Sequence, residues 1–444
     1  MVTARRAALN ILTRIERDQA FAAAALASEL RGMKSAKEAA LATELVLGVT
    51  RRRPFLDQLL NQVADRGIKK IDARTKNILR IGAYQIAFLD SIPARAAVSE
   101  SVELAKRTGS RGLFRLVNAL LRRLSEMEPA KLSPREDDTG GPLGDFAIDL
   151  GLPQFLLYRL AEARGRGWVF ELARVFNRRA RRTLRINSHN FSREQALEQV
   201  GDQGSIGQLT PWSLDVQSRG PAQVLIDAGK AVYQDEGAQL VALAMETAPG
   251  EKLLDACAGR GGKTSALAMC AGPEAEIYAV DRGESKLIRL NFELSKQGLQ
   301  AKTIPGDLTN PNLDLGQMFD KILLDAPCSG SGTIGRRPEI RWRLTPEMVD
   351  SLVQIQKSML DVVVRFLKPG GRLVYAVCSL LPEEGFLQGE DFTARHPEMV
   401  KNSKVPRDWP PSVPWNDGRV LVDPAQTGTD GYQILSFHKT LETA

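Results

Sequence analysis

The stretch Lys252-Leu-Leu-Asp-Ala-Cys-Ala-Gly-Arg-Gly-Gly-Lys-Thr264 runs from an apolar strand pattern through a glycine-rich loop into a helical pattern. Strands and helices continue to alternate after it. Strands are predicted at residues 252–257, 277–281, 302–305, 321–325 and 372–378, and helices at residues 263–271, 284–297 and 346–367. This alternation predicts an α/β domain whose doubly wound, Rossmann-like parallel sheet is covered on both faces.

Five thiol or acidic side chains lie at or just after the predicted carboxyl ends of these strands: Cys257, Asp281, Asp307, Asp325 and Cys378. Open α/β sheets bind their ligands at that edge. The shared placement therefore predicts a ligand site there, and it supports that prediction better than any single motif does.

The glycine-rich loop fits neither of the two common phosphate-binding motifs. A P-loop that ends at Gly262-Lys263-Thr264 needs glycine at position 257, which is Cys257. The dinucleotide motif that starts at Gly259 needs glycine at position 264, which is Thr264. The pattern thus disfavours an NTPase and a dinucleotide-binding enzyme.

The loop still predicts a nucleoside site, because Gly259, Gly261 and Gly262 let the backbone approach a ligand closely. Asp281 ends the next predicted strand, where a carboxylate can accept both ribose hydroxyls. The plainer role for Asp281 is that of a turn or helix-capping residue. S-adenosylmethionine suits the arrangement, since its ribose needs an acidic partner and it carries no phosphate.

Two cysteines follow apolar runs in Asp325-Ala-Pro-Cys328-Ser-Gly330 and in Cys378-Ser379. Paired thiols at strand ends suggest covalent catalysis, which a poorly nucleophilic carbon such as C5 of cytosine requires. A thiolate that adds to C6 activates C5, and an acid such as Asp325 must then serve N3 of the base. The alternative is that Cys328 or Cys378 is a buried, inert thiol. Cys270 lies within a helical pattern and is assigned to the core.

The part of the chain before residue 250 is organised differently. Residues 4–125 show helical spacing of alanine and leucine, with breaks expected at Pro54, Gly67, Pro93 and Gly109. Residues 133–145 have the composition of a linker, and helical patterns resume at 153–177. Residues 183–235 predict a small α/β piece with strands at Thr183–Ile186 and Ala231–Tyr233.

The chain of 444 residues has 60 basic and 53 acidic residues, a net charge of +7. Residues 1–127 hold 23 basic and 12 acidic residues, and residues 164–185 hold eight arginines and one acidic residue. This excess of basic residues predicts a nucleic-acid partner. The alternative is that the charged side chains only keep the outer faces of helices in contact with water.

The four cysteines and three histidines show no metal-ligand spacing, which favours a reduced cytoplasmic protein without a metal site. No apolar run is long enough for a membrane span, and the amino terminus lacks the apolar segment of a signal peptide.

The chain resembles the RNA 5-methylcytosine methyltransferases, and within them the bacterial ribosomal RNA small subunit methyltransferase B (RsmB, Sun or Fmu) group. The resemblance spans nearly the whole chain. It rests on Asp325-Ala-Pro-Cys328-Ser-Gly330, Cys378-Ser379 with Pro382-Glu383-Glu384, Arg185-Ile186-Asn187, Gln234-Asp235-Glu236-Gly237-Ala238-Gln239, Arg51-Arg52-Arg53-Pro54-Phe55-Leu56-Asp57 and Ile81-Gly82-Ala83-Tyr84-Gln85-Ile86. The chain departs from the family pattern at Gly259-Arg260, where Ala-Pro is usual, at Gly385, where asparagine is usual, and at Tyr432-Gln433, where two phenylalanines are usual.

The resemblance implies a multidomain protein. Its expected parts are an all-α NusB-like RNA-binding domain at residues 1–132, a small α/β linking RNA-binding domain at 146–235 and an S-adenosylmethionine-dependent methyltransferase domain at 236–440. The implied activity is methylation of C5 of a cytosine in 16S ribosomal RNA, at position 967. The implied enzyme is a cytoplasmic monomer that acts on RNA before full subunit assembly.

The resemblance also implies residue roles. Cys378 would attack C6, Cys328 would assist release of the product, Asp325 would engage the base, and Lys263 would belong to the catalytic set. The cofactor would lie against Cys257, Ala258, Gly259, Arg260, Gly261, Gly262 and Lys263, with Asp281 at the ribose, Arg282 beside it, Asp307 near the adenine and Asp325 near the methionine end.

Two other functions are consistent with parts of this pattern. One is methylation of C5 of a cytosine in transfer RNA. The other is a non-catalytic, NusB-like RNA-binding or assembly factor. Asp325, Cys328 and Cys378 argue against the second, because RNA binding alone needs no thiols.

Overall fold

The computed structural model describes residues 3–107, 112–189 and 191–441. They form two compact units. The helical unit comprises the residues up to Arg178 together with Ile334–Arg343, and the α/β unit comprises Arg179–Thr333 together with the residues from Leu344 onward. The segment Ile334–Arg343, which follows the first cysteine motif in the sequence, therefore packs with the helical unit.

The helical unit is built around a core of leucine, isoleucine and alanine side chains that recur at helical spacing. In the first helix, Ala8, Ile11, Leu12 and Ile15 are buried on one face. The predicted all-helical amino-terminal domain is confirmed. The helices are α1 (Ala4–Arg17), α2 (Ala22–Leu30), α3 (Ala36–Val63), α4 (Ala73–Phe88), α5 (Ala94–Lys106), α6 (Leu113–Ser125), α7 (Ala147–Leu150), α8 (Gln154–Arg164) and α9 (Arg166–Asn177).

The expected break at Gly109 lies outside the described residues. The expected break at Pro54 is wrong, because Pro54 lies inside the long helix α3. A proline removes one N–H and leaves the carbonyl four residues earlier without its helical partner. Here the indole Nε1 of Trp342 donates to the carbonyl of Thr50 at 2.8 Å. Arg341 also donates to the carbonyl of Arg51 at 3.0 Å. A distant segment thus replaces the hydrogen bond that proline removes, and the helix continues.

Part of the basic charge of the helical unit serves its fold. The side chains of Arg51 and Arg52 are buried, and Arg52 pairs with Glu136 at 2.6 Å. Arg80, which is also buried, pairs with Glu16 and Asp57 at 2.7 Å each. Arg52 and Arg80 are thus buried cations paired with partly exposed carboxylates, so the basic excess in the sequence overstates the positive surface.

The α/β unit begins with a small antiparallel sheet whose strand order is β2-β3-β1-β4. Its core includes Leu184, Ile186, Leu214 and Leu225. β1 and β4 lie at the predicted residues, whereas β2 and β3 were not predicted because they lack a clear apolar alternation. The elements are β1 (Thr183–Ile186), α10 (Arg193–Val200), β2 (Gly204–Ile206), β3 (Ser213–Val216), α11 (Arg219–Asp227) and β4 (Ala231–Tyr233).

The large sheet of the α/β unit has eight strands. Its elements are α12 (Glu236–Ala244), β5 (Lys252–Asp255), α13 (Gly262–Ala271), β6 (Glu276–Asp281), α14 (Glu284–Lys296), β7 (Lys302–Pro305), β8 (Phe319–Asp325), α15 (Pro346–Val363), β9 (Leu367–Val377), α16 (Phe386–Arg395), β10 (Met399–Lys401), β11 (Arg419–Val422), α17 (Pro424–Thr427) and β12 (Tyr432–Lys439). The strand order is β10-β12-β9-β8-β5-β6-β7, and β11 pairs with β12.

The predicted Rossmann-like sheet is confirmed for β9-β8-β5-β6-β7, which are parallel. The sheet is nevertheless mixed, since β12 runs antiparallel to β9, β10 and β11. The helix predicted to end at residue 367 ends at Val363, and β9 starts earlier than predicted, at Leu367. Because the five parallel strands share one direction, their carboxyl ends meet at one edge of the sheet.

In the part of the chain that the structure describes, no helix is long and apolar enough to cross a membrane. The same residues contain no group of three or more histidine, cysteine or acidic side chains that could hold a metal ion. The three predicted domain ranges, with limits at residues 132, 146, 235 and 440, remain predictions.

Candidate active site

Cys328 and Cys378 lie at the ends of the neighbouring parallel strands β8 and β9. Because Asp325 of β8 is paired with Ala376 of β9, the two strands end at the same level of the sheet. The two Sγ atoms are 3.4 Å apart, and both side chains are half-buried. The structure thus brings together two thiols that are 50 residues apart in the sequence.

The loops that follow the two cysteines are joined by Glu384, a fully buried side chain that the sequence analysis did not single out. Its Oε1 accepts from the backbone N–H of Ser329 at 2.7 Å. Its Oε2 accepts from the hydroxyl of Ser379 at 2.5 Å. Since each partner directly follows a cysteine, Glu384 sets the position of one thiol relative to the other. The Pro382-Glu383-Glu384 motif was the only sequence signal for this role.

Gln433 supports the loop after Cys378 from β12. Its side-chain amide donates to the carbonyls of Ser379 and Leu381 at 3.0 and 2.9 Å, and its Oε1 accepts from the N–H of Phe386 at 3.1 Å. A Cβ at Gly385 would lie 2.3 Å from this side chain. The departures from the family pattern at Gly385 and Gln433 are therefore complementary, because glycine leaves the space that glutamine fills.

Asp325 ends β8 and pairs with Lys263, whose Nζ lies 2.7 Å from its Oδ2. The ammonium also lies 5.1 Å from the centre of the Tyr432 ring. Burial lowers the pKa of Lys263, but attraction to Asp325 outweighs this effect and leaves the pKa above its usual value. Lys263 is therefore a fixed cation beside the thiols, not a base.

The pKa of the Cys328 thiol is raised well above its usual value. The hydrogen bond with Cys378 is the main cause, and burial adds to it. Cys328 is thus a thiol that keeps its proton, and in the contact between the two sulfur atoms either one can be the donor.

The loop between β5 and α13 has the open surface that a close-fitting ligand needs. Gly259 and Gly261 have positive φ angles of 56° and 86°. A Cβ at Gly261 would lie 2.7 Å from Leu290, so this glycine faces the protein. A Cβ on Gly262 would meet nothing closer than Gln234 at 3.7 Å, and one on Gly259 nothing closer than 4.0 Å. These two residues leave room for a ligand, so the loop fits a nucleoside-type ligand.

The other predicted loop residues differ in exposure. Ala258 is buried and Arg260 is exposed. The pKa of Cys257 is raised well above its usual value by burial and by the nearby carboxylates, chiefly Asp255. Cys257 is therefore a neutral thiol.

Asp281 joins the loop to the start of α14. Its Oδ2 accepts from the N–H of Gly259 at 3.0 Å and its Oδ1 accepts from the N–H of Gly283 at 2.8 Å. Lys286 contacts both oxygens at 3.0 and 3.1 Å. Asp281 thus forms the turn before α14 and also holds the glycine-rich loop through the N–H of Gly259. A ribose hydroxyl bound to this carboxylate would compete with Lys286.

Asp307 and Arg282 lie on the exposed side of this edge. Oδ1 of Asp307 accepts from the N–H and the hydroxyl of Thr309 at 2.9 and 2.7 Å. These bonds, aided by the charge of Arg282, lower the pKa of Asp307 below its usual value. Asp307 is therefore a charged, solvent-facing group.

Asp255, at the end of β5, was not predicted as a site residue. Its Oδ2 accepts from the hydroxyl of Thr264 at 2.7 Å, while its buried Oδ1 has no hydrogen-bond partner among the described residues. Burial raises the pKa of Asp255 to about 7. Only the fold reveals this group, because nothing local distinguishes it from the other acidic residues at strand ends.

A half-buried thiol pair, a lysine–aspartate pair and an open glycine loop at one edge of a Rossmann-type sheet are features of a methyltransferase. Two family models match the chain: 16S rRNA methyltransferase RsmB/F over residues 242–437, and the NusB family over residues 2–126. The chain belongs to the RsmB/F methyltransferase family and carries a NusB-family domain at its amino terminus.

Curated relatives cover most of the chain. A probable ribosomal RNA small subunit methyltransferase B from Synechocystis is 33% identical, and the match spans 99% of this chain and 100% of the relative. The ribosomal RNA small subunit methyltransferase B of an Escherichia coli strain is 34% identical over 81% of this chain and 83% of its own.

Among solved structures, the crystal structure of PH0851 superposes with a TM-score of 0.81 at 22% identity, covering 98% of each chain. A methyltransferase homologue from Pyrococcus horikoshii has a TM-score of 0.59 at 23% identity and covers 68% of this chain and 100% of its own. At these identities the likeness concerns the fold.

Proposed function

We propose that the protein methylates C5 of a cytosine in 16S ribosomal RNA, with S-adenosylmethionine as methyl donor, through a covalent adduct between Cys378 and C6 of the base. The observation that carries the proposal is the pair of thiols 3.4 Å apart beside the ion pair of Asp325 and Lys263. Family membership supports the RNA substrate, and resemblance to the RsmB group points to cytosine 967.

In the first step the thiolate of Cys378 adds to C6, which makes C5 a carbon nucleophile. The S–H of Cys328 stabilises this thiolate by donating a hydrogen bond to it. The carboxyl of Asp325 serves the N3 side of the base, where the adduct needs a proton or a hydrogen bond. Lys263 holds that carboxyl in place.

Bound S-adenosylmethionine supplies an electrophilic methyl group to C5. We assign its site to the loop from Cys257 to Lys263, with Asp281 near the ribose. The open faces of Gly259 and Gly262 support this assignment. Asp307 and Arg282 would contribute from the exposed side of the same edge.

Release of the product requires loss of the C5 proton and breakage of the bond between Cys378 and C6. The main cause of the raised pKa of Cys328 is its hydrogen bond with Cys378. Once Cys378 is a thioether, that cause is gone, and Cys328 ionises more easily. Cys328 then loses its proton to solvent, and its thiolate takes the C5 proton. The electron pair of the C5–H bond forms the C5–C6 double bond as the C6–S bond breaks, so Cys378 leaves as a thiolate, and a proton taken up at N3 returns to solvent.

The helical unit would position the RNA before subunit assembly is complete. Because Arg51 and Arg52 are buried, other cations must neutralise the RNA phosphates, and Arg66, Lys69, Lys70 and Arg74 are exposed. We expect Lys69→Glu with Lys70→Glu to lower the slope of log K against log salt by about 0.7–0.9 for each phosphate that is no longer neutralised. An unchanged slope in a salt titration would remove these lysines from the RNA surface.

The test of the catalytic proposal is the Cys328→Ala variant mixed with 16S ribosomal RNA and S-adenosylmethionine. It should accumulate a protein–RNA adduct that survives a denaturing gel, and the double variant with Cys378→Ala should not.

Bisulfite sequencing of ribosomal RNA from a deletion strain should show one cytosine that loses its methylation. Loss of methylation in transfer RNA, with 16S ribosomal RNA unchanged, would favour a transfer RNA enzyme. No adduct and no methylation change would leave an RNA-binding factor.

A further inference from the structure

Arg185 is a charged side chain buried between the small sheet and the large sheet of the α/β unit. It lies in β1, where Leu184 and Ile186 pack into the core of the small sheet. Because side chains alternate along a strand, Arg185 points to the opposite face, toward α13 and α14. Only 1% of its surface is exposed.

The guanidinium group meets only neutral oxygen atoms. Nη1 donates to the carbonyl of Gly262 and to Oε1 of Gln234, each at 2.9 Å. Nη2 donates to the hydroxyl of Ser265 at 2.6 Å and to Oε1 of Gln297 at 3.4 Å. No carboxylate of the described residues forms an ion pair with Arg185, although an unpaired buried charge is costly.

Gly262 receives a second side-chain donor from the same sheet region, because Nε2 of Gln234 donates to its carbonyl at 3.0 Å. Gly262 is the first residue of α13 and ends the glycine loop. A cation at the amino end of a helix opposes the helix dipole, so helix stability does not explain why Arg185 is there. Its hydrogen bonds instead hold the backbone at the point where the loop becomes a helix.

We propose that Arg185 is a positioning residue for the methyl-donor loop: from the small sheet it holds the Gly262 carbonyl and thereby sets the loop conformation that the donor requires. This inference rests on the proposed donor site. The small sheet, which the sequence analysis assigned to RNA binding, would then also determine donor affinity, and its removal would weaken donor binding even with the methyltransferase sheet intact.

The test is calorimetric binding of S-adenosylhomocysteine to the full-length protein. Arg185→Met should raise the Kd at least about tenfold, because it removes charged hydrogen bonds from the loop. Arg182→Met is the matched control: Arg182 lies three residues earlier and donates to the carbonyl of Gln217 within the small sheet. Its Kd should stay within about twofold of the wild type. In steady-state assays Arg185→Met should raise the KM for the donor more than it lowers kcat.

Arg185→Lys provides a readout that a merely structural role would not produce. Burial lowers the pKa of Arg185 from 12.5 to about 10. The same burial should lower the pKa of a lysine at this position below its ordinary value of about 10.4. Donor affinity of this variant should therefore fall as the pH rises toward that lowered pKa, while the affinity of the wild type changes less.

Circular dichroism checks that each variant is folded. If Arg185→Met does not fold, Arg185→Lys and Gln234→Leu decide, since each keeps one of the two side-chain donors to Gly262. Wild-type affinity and a wild-type pH profile in folded variants would overturn the role of Arg185 and leave the donor site standing. If the wild type itself does not bind S-adenosylhomocysteine, the proposed donor fails, and the inference fails with it.

Discussion

The active edge of the large sheet has two parts: the thiol end, with Cys328 and Cys378, and the donor-loop end, with the loop from Cys257 to Lys263. The two parts are held in place in different ways. Around Cys328 and Cys378, buried side chains such as Glu384 bond directly to the residues that follow the thiols. The donor loop is also bonded by buried side chains, Asp281 at Gly259 and Arg185 at Gly262. Its course, however, requires the positive φ angles of Gly259 and Gly261, and Arg260 and Gly262 remain exposed. Bond formation needs atoms placed within a fraction of an ångström, whereas binding energy is spread over many interactions. Changes at the thiol end should therefore act on kcat, and changes at the donor end on affinity.

The largest effect is expected for Cys378→Ala, which removes the nucleophile. Methyl transfer should fall by at least about 10⁴-fold, as is typical when a nucleophile is removed. Binding of S-adenosylhomocysteine, measured by calorimetry, should persist. Cys270→Ala is the matched control, since burial raises the pKa of Cys270 to about 12 and keeps it a neutral thiol. Turnover near the wild-type rate in Cys378→Ala would transfer the nucleophilic role to another group.

Glu384→Gln tests the placement of the two thiols, because it leaves both cysteines unchanged. An amide can accept at one atom only, so it cannot accept from both Ser329 and Ser379, and the hydrogen bonds that fix the two cysteine loops must rearrange. The single-turnover rate should fall about 100-fold, the scale for a displacement of about 1 Å. The donor Kd should not change. Glu390→Gln, at a surface carboxylate paired with Arg419, serves as control. A parallel loss of donor affinity in Glu384→Gln would break the distinction between the two ends.

At the donor end, Asp281→Ala should weaken binding of S-adenosylhomocysteine by about 1.5–3 kcal/mol, the scale for hydrogen bonds to a charged group. The variant loses the proposed ribose hydrogen bonds and also the bond to the N–H of Gly259. Lys286→Ala is the informative companion, since it frees the carboxylate without removing it and should leave affinity equal or improved. Unchanged affinity in Asp281→Ala would make Asp281 a turn residue only.

The smallest effect concerns Asp255, whose pKa is raised to about 7 by burial. In the unfolded chain this carboxyl has its ordinary pKa of about 3.9. Between about pH 3.9 and pH 7 the folded protein therefore holds a proton on Asp255 that the unfolded chain has lost. The stability that this proton contributes is lost as pH rises through 7. The free energy of unfolding should be about 1 kcal/mol lower at pH 7 than at pH 6. Asp255→Asn should lack this difference in urea titrations. Equal pH slopes in the two proteins would contradict the raised pKa.

The sequence predicted the parallel section of the large sheet because its signals are local. Apolar runs, turn residues and helical spacing lie within windows of about 10 residues. The shared strand direction then places Cys328 and Cys378 at the same edge of the sheet, and the adjacency of β8 and β9 in the tertiary structure makes them neighbours. The antiparallel strand β12 was missed, since its pairing with β9 depends on a partner far away in the chain. The short strands β2 and β3 were missed because they lack a clear apolar alternation.

The supporting hydrogen bonds could not be predicted for the same reason. Glu384 reaches Ser329 across 55 residues, and Arg185 reaches Gly262 across 77. Trp342 donates to Thr50 across 292 residues and keeps α3 continuous through Pro54. No local pattern signals such a bond, because the side chain and its backbone partner belong to different elements.

The sequence by itself determined the sheet type, the placement of the thiols and acids at one edge, and the helical character of the amino-terminal domain. These follow from periodicity and from the direction of parallel strands. Only the tertiary structure decided that Cys328 keeps its proton, which carboxylate joins the two cysteine loops, and which arginines are buried in the fold. Those properties depend on burial and on distances between residues remote in sequence, and both arise only when the chain is packed.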